Sequence, residues 1–172
     1  VPNDPGFVEQ WWLQPPVATP NGRTASAVDA VAAWDTTVGS PGVVVAVLDT
    51  GVRYEHPDLR RVAEGGKLLP GYDFVGTDST GTARAANDGD GWDPDPSDPG
   101  DWITSAENTA RGGDFQDCGV ANSSWHGTKI AGIIGAAADN GQGMAGTAHG
   151  VRILPVRVLG KCGGYDSDIQ AG

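Results

Sequence analysis

The chain has 172 residues, of which 22 are acidic and 11 basic, so its formal net charge is -11. This length is enough for one domain with a sizeable core. The negative charge argues against nucleic acid and anionic membrane surfaces as partners and favours divalent cations. Because no apolar run approaches the roughly 20 residues that cross a bilayer, we expect no membrane-spanning segment.

The first segment, residues 1–24, is rich in proline and lacks a helical period. We expect it to form an ordered arm on the surface, anchored by the WWL sequence at 11–13. A helix is predicted next, over residues 27–35, because Ser26 is placed to cap an Ala- and Val-rich run.

Two strands and the helix between them indicate the fold class. Residues 43–48 are continuously apolar and mostly β-branched, which is typical of a parallel strand buried on both faces. A helix that is buried nearly all round is predicted over 127–138, and a second buried strand over 153–160. Another helix is expected to begin within YDSDIQAG at 165–172. This order favours an α/β fold with a three-layer arrangement, a parallel sheet flanked by helices.

Residues 76–124 are rich in Gly, Asp and Pro and show no convincing period. So many residues without a predicted element inside a compact domain indicate a functional or metal-organised loop. We therefore treat this region as a candidate cation-binding loop.

The two cysteines, Cys118 and Cys162, lie too far apart in sequence for the close spacing of a zinc site. This leaves either one disulfide or two free thiols. We favour the disulfide, because Gly-rich surroundings indicate exposure and hence an oxidising compartment.

Asp49 follows the first predicted strand, and His126 precedes the predicted helix. In a parallel sheet both positions can face the same rim. A carboxylate that accepts a hydrogen bond from imidazole Nδ1, with Nε2 directed at an alcohol, is the Asp-His half of a catalytic triad. The alternative is that the two residues merely cap a turn and a helix.

Four motifs occur in order along the chain: VVAVLDTGV, HPDL, HGT-x-x-AG and VRVLG. Together they resemble the N-terminal half of the catalytic domain of subtilisin-like serine proteases. The resemblance implies that residues 1–172 are part of one such domain, with Asp49 as the triad acid, His126 as the general base and Leu159 lining the substrate cleft. It also implies a secreted endopeptidase that acts on proteins or peptides.

The family's nucleophilic serine and oxyanion asparagine lie downstream of a region like this one. The resemblance therefore implies a partner, the C-terminal remainder of the protease, as a second or nicked chain. An inactive calcium-stabilised fragment or binding domain is the alternative function. A nucleotide-binding domain is not favoured, because no Gly-rich phosphate turn follows the first predicted strand.

Three positions depart from family patterns. Lys129 stands where the common pattern HGTH has its second histidine, and the kexin- and furin-like branch tolerates a basic residue there. Thr50 and Ser123 stand where dibasic-specific relatives carry aspartate. This favours a broad endopeptidase over one that prefers Lys-Arg.

Calcium favours carboxylate and carbonyl oxygens, and NDGDGWDPD carries several carboxylates on a Gly-rich loop. It resembles a calcium loop of kexin- and furin-like subtilases, which implies Asp88, Asp93 and Asp95 as ligands. NDPGFVEQWWL resembles the family's N-terminal arm, which implies a second calcium that pins the arm. The ligands implied there are Asp4, Asp58, Ala137, Asn140, Gln142 and Met144. The alternative for both regions is a solvated acidic surface.

Overall fold

The computed structural model describes residues 1–17, 26–77 and 82–172. Its helices and strands are α1 (Ala30–Trp34), β1 (Val44–Asp49), β2 (Tyr72–Asp73), α2 (Ser105–Thr109), α3 (His126–Gly135), β3 (Arg152–Arg157) and α4 (Asp166–Ala171). Short 3₁₀ helices cover Pro5–Glu9, Trp11–Leu13 and Val62–Glu64. The chain divides into a first unit (Val1–Val45, Glu55–Leu68, Ala131–Ile153) and a second unit (Ala46–Tyr54, Leu69–Ile130, Leu154–Gly172).

The strands form a sheet in the order β1-β3-β2 among the described residues. β2 runs parallel to β3, with Asp73 opposite Arg157. Both long predicted strands are present, and β3 ends three residues before the predicted end. The expectation that β1 is buried on both faces is wrong, because Val44 and Leu48 are 48% and 44% exposed while Val47 is buried. This alternation is that of a strand with one covered face.

The helices differ from the predictions mainly at their ends. α1 begins later than predicted, and its cap is Asp29, whose carboxylate accepts a hydrogen bond from Ala32 N at 3.3 Å, so the Ser26 cap is wrong. α3 begins at His126 and ends three residues early. It is not buried all round, because Lys129 and Ile133 are exposed. The predicted final helix is confirmed as α4. No helix of the described ranges combines the length and apolar character needed to cross a membrane.

The region 76–124 contains a helix that was not predicted, α2. A capping box begins it: Glu107 N donates to Thr104 Oγ1 at 3.2 Å, and Thr104 N donates to Glu107 Oε2 at 2.8 Å. The spacing T-x-x-E is the sequence signal for this arrangement. Residues 78–81 of the region lie outside the described residues.

The first unit holds the N-terminal arm by apolar and polar contacts. Its core is a cluster of buried side chains: Phe7, Leu13, Ala30 and Ala145. The Gln10 side chain donates to the carbonyl of Ala145 at 2.8 Å and accepts from its N–H at 2.9 Å. Trp11 is 41% exposed, so Phe7 and Leu13 are the main apolar anchors. Residues 18–24 of the expected arm fall outside the described residues.

A disulfide joins Cys118 to Cys162 in the second unit, and the two Cα atoms lie 5.6 Å apart. This confirms the prediction that the two cysteines form one disulfide. The bond closes a loop between residues 44 positions apart. In the chain-entropy account, a loop of this size stabilises the folded state by about 4 kcal/mol.

Replacing both cysteines with serine should lower the free energy of unfolding by about 2–4 kcal/mol, because the unfolded chain regains the entropy of the open loop. Urea denaturation followed by circular dichroism measures this change. A reductant should destabilise the wild type by a similar amount and leave the double variant unaffected. Equal unfolding midpoints for variant and wild type would contradict the expected stabilisation.

Candidate active site

The end of β1 brings Asp49 to the start of α3, where His126 lies. His126 Nδ1 is 2.8 Å from Asp49 Oδ2 and 2.9 Å from Oδ1. The Asp49 side chain is 10% exposed and the His126 side chain 58% exposed. With Nδ1 bound to the carboxylate, Nε2 is the ring nitrogen left to accept a proton. This arrangement can act as the acid–base half of a nucleophilic site.

Main-chain hydrogen bonds hold Asp49 in place. Its carboxylate accepts from Thr50 N at 2.7 Å, and its carbonyl accepts from Val158 N at 2.9 Å and from Leu159 N at 3.2 Å. The predicted cleft residue, Leu159, therefore lies beside the main chain of Asp49, and its side chain is half-buried.

Gly127 permits the close approach of α3 to the chain after β1. A Cβ atom at this position would overlap the carbonyl oxygen of Gly51 and would lie 3.1 Å from Asp49 Cβ. A larger residue would therefore push His126 away from Asp49. Close packing of two backbone segments explains why glycine follows the histidine.

Arg157 is a buried cation that the sequence analysis did not single out. Its guanidinium contacts the carboxylates of Asp73 and Asp88 and the carbonyl of Ala86, and its Nε donates to the carbonyl of Thr50 at 3.2 Å. Burial raises the pKa of Asp73 to about 7, and the guanidinium opposes this shift. An arginine inside the apolar motif VRVLG is the sequence signal for such a buried charge.

The carboxylates of the first predicted calcium loop lie in local hydrogen bonds and one ion pair. Asp88 contacts Arg157, Asp93 Oδ1 accepts from Asp95 N at 2.9 Å, and Asp95 Oδ1 accepts from Ser97 Oγ at 2.6 Å. Desolvation and the neighbouring carboxylates of Asp93 and Asp88 raise the pKa of Asp90, so negative charge is dense here. Across the described ranges, no three His, Cys, Asp or Glu side chains form a metal-binding group.

The residues predicted for the second calcium site all lie in the first unit: Asp4, Asp58, Ala137, Asn140, Gln142 and Met144. Asp4 accepts from Asp139 N at 2.8 Å and from Asn140 N at 3.2 Å. Asp58 accepts from Asn140 Nδ2 at 2.9 Å and from Met144 N at 3.2 Å. The loop after α3 thus folds around two buried carboxylates. The side chain of Gln142 stays exposed.

Residues 40–172 match the Subtilase family, Peptidase_S8. The chain belongs to the subtilase family. It is 41% identical to the "Extracellular basic protease" of Dichelobacter nodosus over 100% of this chain, and 42% identical to the "Extracellular protease" of Xanthomonas campestris pv. campestris over 98% of this chain. It spans 25% of the length of each of these relatives. A structure titled "Proteases from Pseudoalteromonas arctica PAMC 21717" is 44% identical, with a TM-score of 0.77 over 99% of this chain and 42% of that chain.

These similarities confirm the predicted fold class. The subtilase chain has a subtilisin-like fold with a parallel sheet and helices, and it is a portion of a larger homologue. The resemblance to the kexin- and furin-like branch is weaker than the resemblance to extracellular bacterial proteases, since human furin is 31% identical over 92% of this chain and 14% of furin.

A second buried cation of the subtilase chain, Lys161, follows the VRVLG motif. Its Nζ contacts Glu107 of α2 and lies 5.0 Å from the ring centroid of Trp102 and 4.8 Å from that of Phe115. The hydrogen bond from Lys161 and those from Thr104 lower the pKa of Glu107 to about 2. This ion pair ties α2 to the segment that carries the disulfide cysteine Cys162. The pair could not be predicted from the sequence, because its partners lie 54 positions apart and belong to no common motif.

The Glu107→Gln variant should unfold at a lower temperature than the wild type at pH 7, because it loses the ion pair. Since the folded pKa of Glu107, about 2, lies below its ordinary value of 4.5, the stabilisation is complete above pH 4.5 and disappears as the pH falls towards 2. Thermal denaturation at several pH values should therefore show the difference between variant and wild type shrinking over that range.

The exposed Glu64 provides the control, and Glu64→Gln should change the thermal midpoint little at any of these pH values. A loss in Glu107→Gln that stays constant from pH 7 to pH 2 would show that the ion pair does not stabilise the fold.

Proposed function

We propose that this chain supplies the aspartate and histidine of the Asp-His-Ser triad of a secreted serine endopeptidase. The observation that carries the proposal is the 2.8 Å contact between His126 Nδ1 and Asp49 Oδ2 in a subtilase chain. Asp49 holds the imidazole with its proton on Nδ1 and stabilises the imidazolium that forms when Nε2 takes the serine proton. The same proton then passes from Nε2 to the leaving amine.

The remainder of the protease completes the site in this proposal. It supplies the serine and the oxyanion asparagine and lies C-terminal to the region described here. The length of the relatives supports this division, because this chain covers a quarter of each. The exposed part of the His126 ring is free to meet a serine from that remainder.

Protein or peptide substrates follow from the same assignment, with Leu159 in the substrate cleft. The hydrogen bond from the Leu159 N–H to the Asp49 carbonyl supports this placement. Thr50 and Ser123 carry no negative charge that would select basic side chains, so we infer broad specificity. The names of the extracellular relatives support secretion, and the Cys118–Cys162 disulfide suits an oxidising compartment.

The triad assignment is tested in the full-length protein. Asp49→Asn should lower kcat by about 10⁴-fold, because the imidazole loses the partner that fixes its tautomer. A fluorophosphonate probe should label a serine outside residues 1–172. Asp35→Asn, a change at an exposed aspartate, should leave kcat unchanged. Labelling within residues 1–172, or full hydrolysis by Asp49→Asn, would reject the assignment. A full-length wild type that is folded but neither labelled nor hydrolytic would favour the non-catalytic alternative.

We also propose that calcium binds between the N-terminal arm and the loop after α3. Asp4 and Asp58 are both buried, and neither has an ion-pair partner within residues 1–17, 26–77 and 82–172. The buried Lys67 attracts Asp58 electrostatically, so the two carboxylates are only partly compensated. Burying such charge is costly, and a hard cation with oxygen ligands lowers that cost. The proposed ligands are these carboxylates with oxygens of Ala137, Asn140, Gln142 and Met144.

A further calcium is proposed at Asp88, Asp93 and Asp95. The density of negative charge around Asp90 supports this site. Arg157 contacts only one carboxylate oxygen of Asp88, Oδ2, and already offsets part of that charge. We therefore expect the calcium at Asp88, Asp93 and Asp95 to bind more weakly than the one at the arm.

Calcium should raise the thermal midpoint of the wild-type chain relative to a chelator. At a calcium concentration 100 times the dissociation constant, the added stability is about 2.7 kcal/mol. Asp4→Asn should lose most of this calcium-dependent increment, measured by differential scanning calorimetry. Asp139→Asn, in the same loop and exposed, should keep it. Equal losses in calcium and in chelator for Asp4→Asn would count against metal binding.

A further inference from the structure

Side-chain hydroxyls bind the first two backbone N–H groups of α3. His126 N donates to Ser124 Oγ at 3.2 Å, and Gly127 N donates to Thr50 Oγ1 at 3.0 Å. A helix leaves the N–H groups of its first turn without partners, so these hydroxyls cap α3. One hydroxyl belongs to the chain just before the helix, and the other to the residue that follows Asp49.

Each hydroxyl also donates a hydrogen bond to a carboxylate of one short turn. This turn is Asp98-Pro99-Gly100-Asp101, which we call the DPGD turn. Thr50 Oγ1 donates to Asp98 Oδ2 at 2.8 Å. Ser124 Oγ donates to Asp101 Oδ2 at 2.7 Å. Because a hydroxyl has a single proton, this donation leaves its lone pairs for the amide of α3. The two carboxylates therefore orient the hydroxyls so that each lone pair faces the backbone N–H of α3 from which it accepts a hydrogen bond.

The DPGD turn is itself firmly held. Asp98 is buried, and its Oδ1 accepts from Gly100 N at 2.8 Å. Its N–H donates to the carbonyl of Val52 at 3.0 Å, which attaches the turn to the chain just after β1. Asp101 Oδ1 also accepts from Ser124 N at 2.5 Å. Both ends of the turn thus have fixed positions within the second unit.

The two capped amides are the ones on either side of the His126 Cα atom. Fixing His126 N and Gly127 N therefore fixes both peptide planes that flank this residue. Only the two side-chain torsions of His126 stay free, and the contact with Asp49 sets these. A catalytic group held this way avoids displacements of about 1 Å, which can cost about 10²-fold in rate.

Thr50 connects this arrangement to both members of the pair. Its N–H donates to the Asp49 carboxylate at 2.7 Å, while its hydroxyl accepts from Gly127 N at 3.0 Å. Its carbonyl accepts from Arg157 Nε at 3.2 Å. Every polar group of Thr50 is thus engaged, and one residue spans the aspartate and the start of the histidine helix.

We propose that the DPGD turn, acting through the hydroxyls of Thr50 and Ser124, positions His126 against Asp49. Among the described residues, neither acid of the turn is hydrogen-bonded to His126 or Asp49, so Asp98 and Asp101 are positioning residues. The consequence for hydrolysis rests on the proposed function of the pair. The geometry of the pair itself does not depend on that function.

Proton NMR of this chain tests the geometry through the low-field resonance of the His126 Nδ1 proton. Thr50→Val removes the hydroxyl and should broaden or shift this resonance, while Thr50→Ser should restore it. Ser124→Ala, at a half-buried position, is a second variant that tests the other hydroxyl should Thr50→Val fail to fold. Resonances of Thr50→Val and Ser124→Ala identical to that of the wild type would overturn the proposal.

Ser97→Ala is the matched control. Ser97 Oγ donates to Asp95 Oδ1 at 2.6 Å, a hydroxyl–carboxylate pair of the same kind. Within the described part of the chain this pair makes no hydrogen bond to α3. This variant should leave the His126 resonance unchanged. If Ser97→Ala altered the resonance as much as Thr50→Val does, the effect would be general destabilisation and the proposal would fail.

Kinetics of the full-length protein test the consequence for hydrolysis. Thr50→Val should lower kcat by about 10- to 100-fold with little change in KM, and Thr50→Ser should stay within a few-fold of wild type. A resonance that depends on Thr50 in a protein without hydrolytic activity would reject the proposed function and keep the positioning role. An unchanged kcat in a fully active Thr50→Val protein would reject the positioning role alone.

Discussion

The second unit depends on the hydrogen bonds and ion pairs of one buried group, the guanidinium of Arg157. It binds oxygens from the chain after β1, from β2 and from residues 86–88 at one place. Removing one partner of such a buried network is strongly destabilising, commonly by about 3–5 kcal/mol, because the remaining charges stay buried. The carbonyl of Thr50 is one of the oxygens it holds, so the charge at the end of β3 also fixes the residue next to Asp49.

The excess of acidic residues explains why buried cations recur in this subtilase. Arg157 and Lys161 both lie in the second unit, and each compensates carboxylates that come from distant parts of the chain. In the first unit, Asp4 and Asp58 are buried with backbone and amide donors, and the buried Lys67 attracts Asp58 without contacting it in an ion pair among the described residues. The proposed calcium at the arm would serve the same physical purpose as these buried side-chain cations.

Much of the fold and of the candidate pair could be predicted, because their signals are local. Residues 43–48 are apolar and mostly β-branched, which predicts β1. Asp49 ends that strand and His126 begins α3, and the neighbouring residues of each predict the strand and the helix. Pairs of charged or polar residues that lie far apart in the sequence and that no motif marks could not be predicted. Arg157 with Asp73 and Asp88, Lys161 with Glu107, and Thr50 with Asp98 are joined only after the chain has folded. α2 is an exception, because its capping box is a local signal that was overlooked.

The sequence by itself determined the family, the order of α1, β1, α3, β3 and α4, and the candidate pair of Asp49 and His126. Short-range patterns carry this information, since the apolar period and the motif residues are local properties. Only the tertiary structure decided which face of β1 is covered, which cations meet which carboxylates, and how two hydroxyls and the DPGD turn hold His126. Those contacts join residues up to 84 positions apart, as for Arg157 and Asp73, and packing and burial select them from the many pairings that the sequence permits.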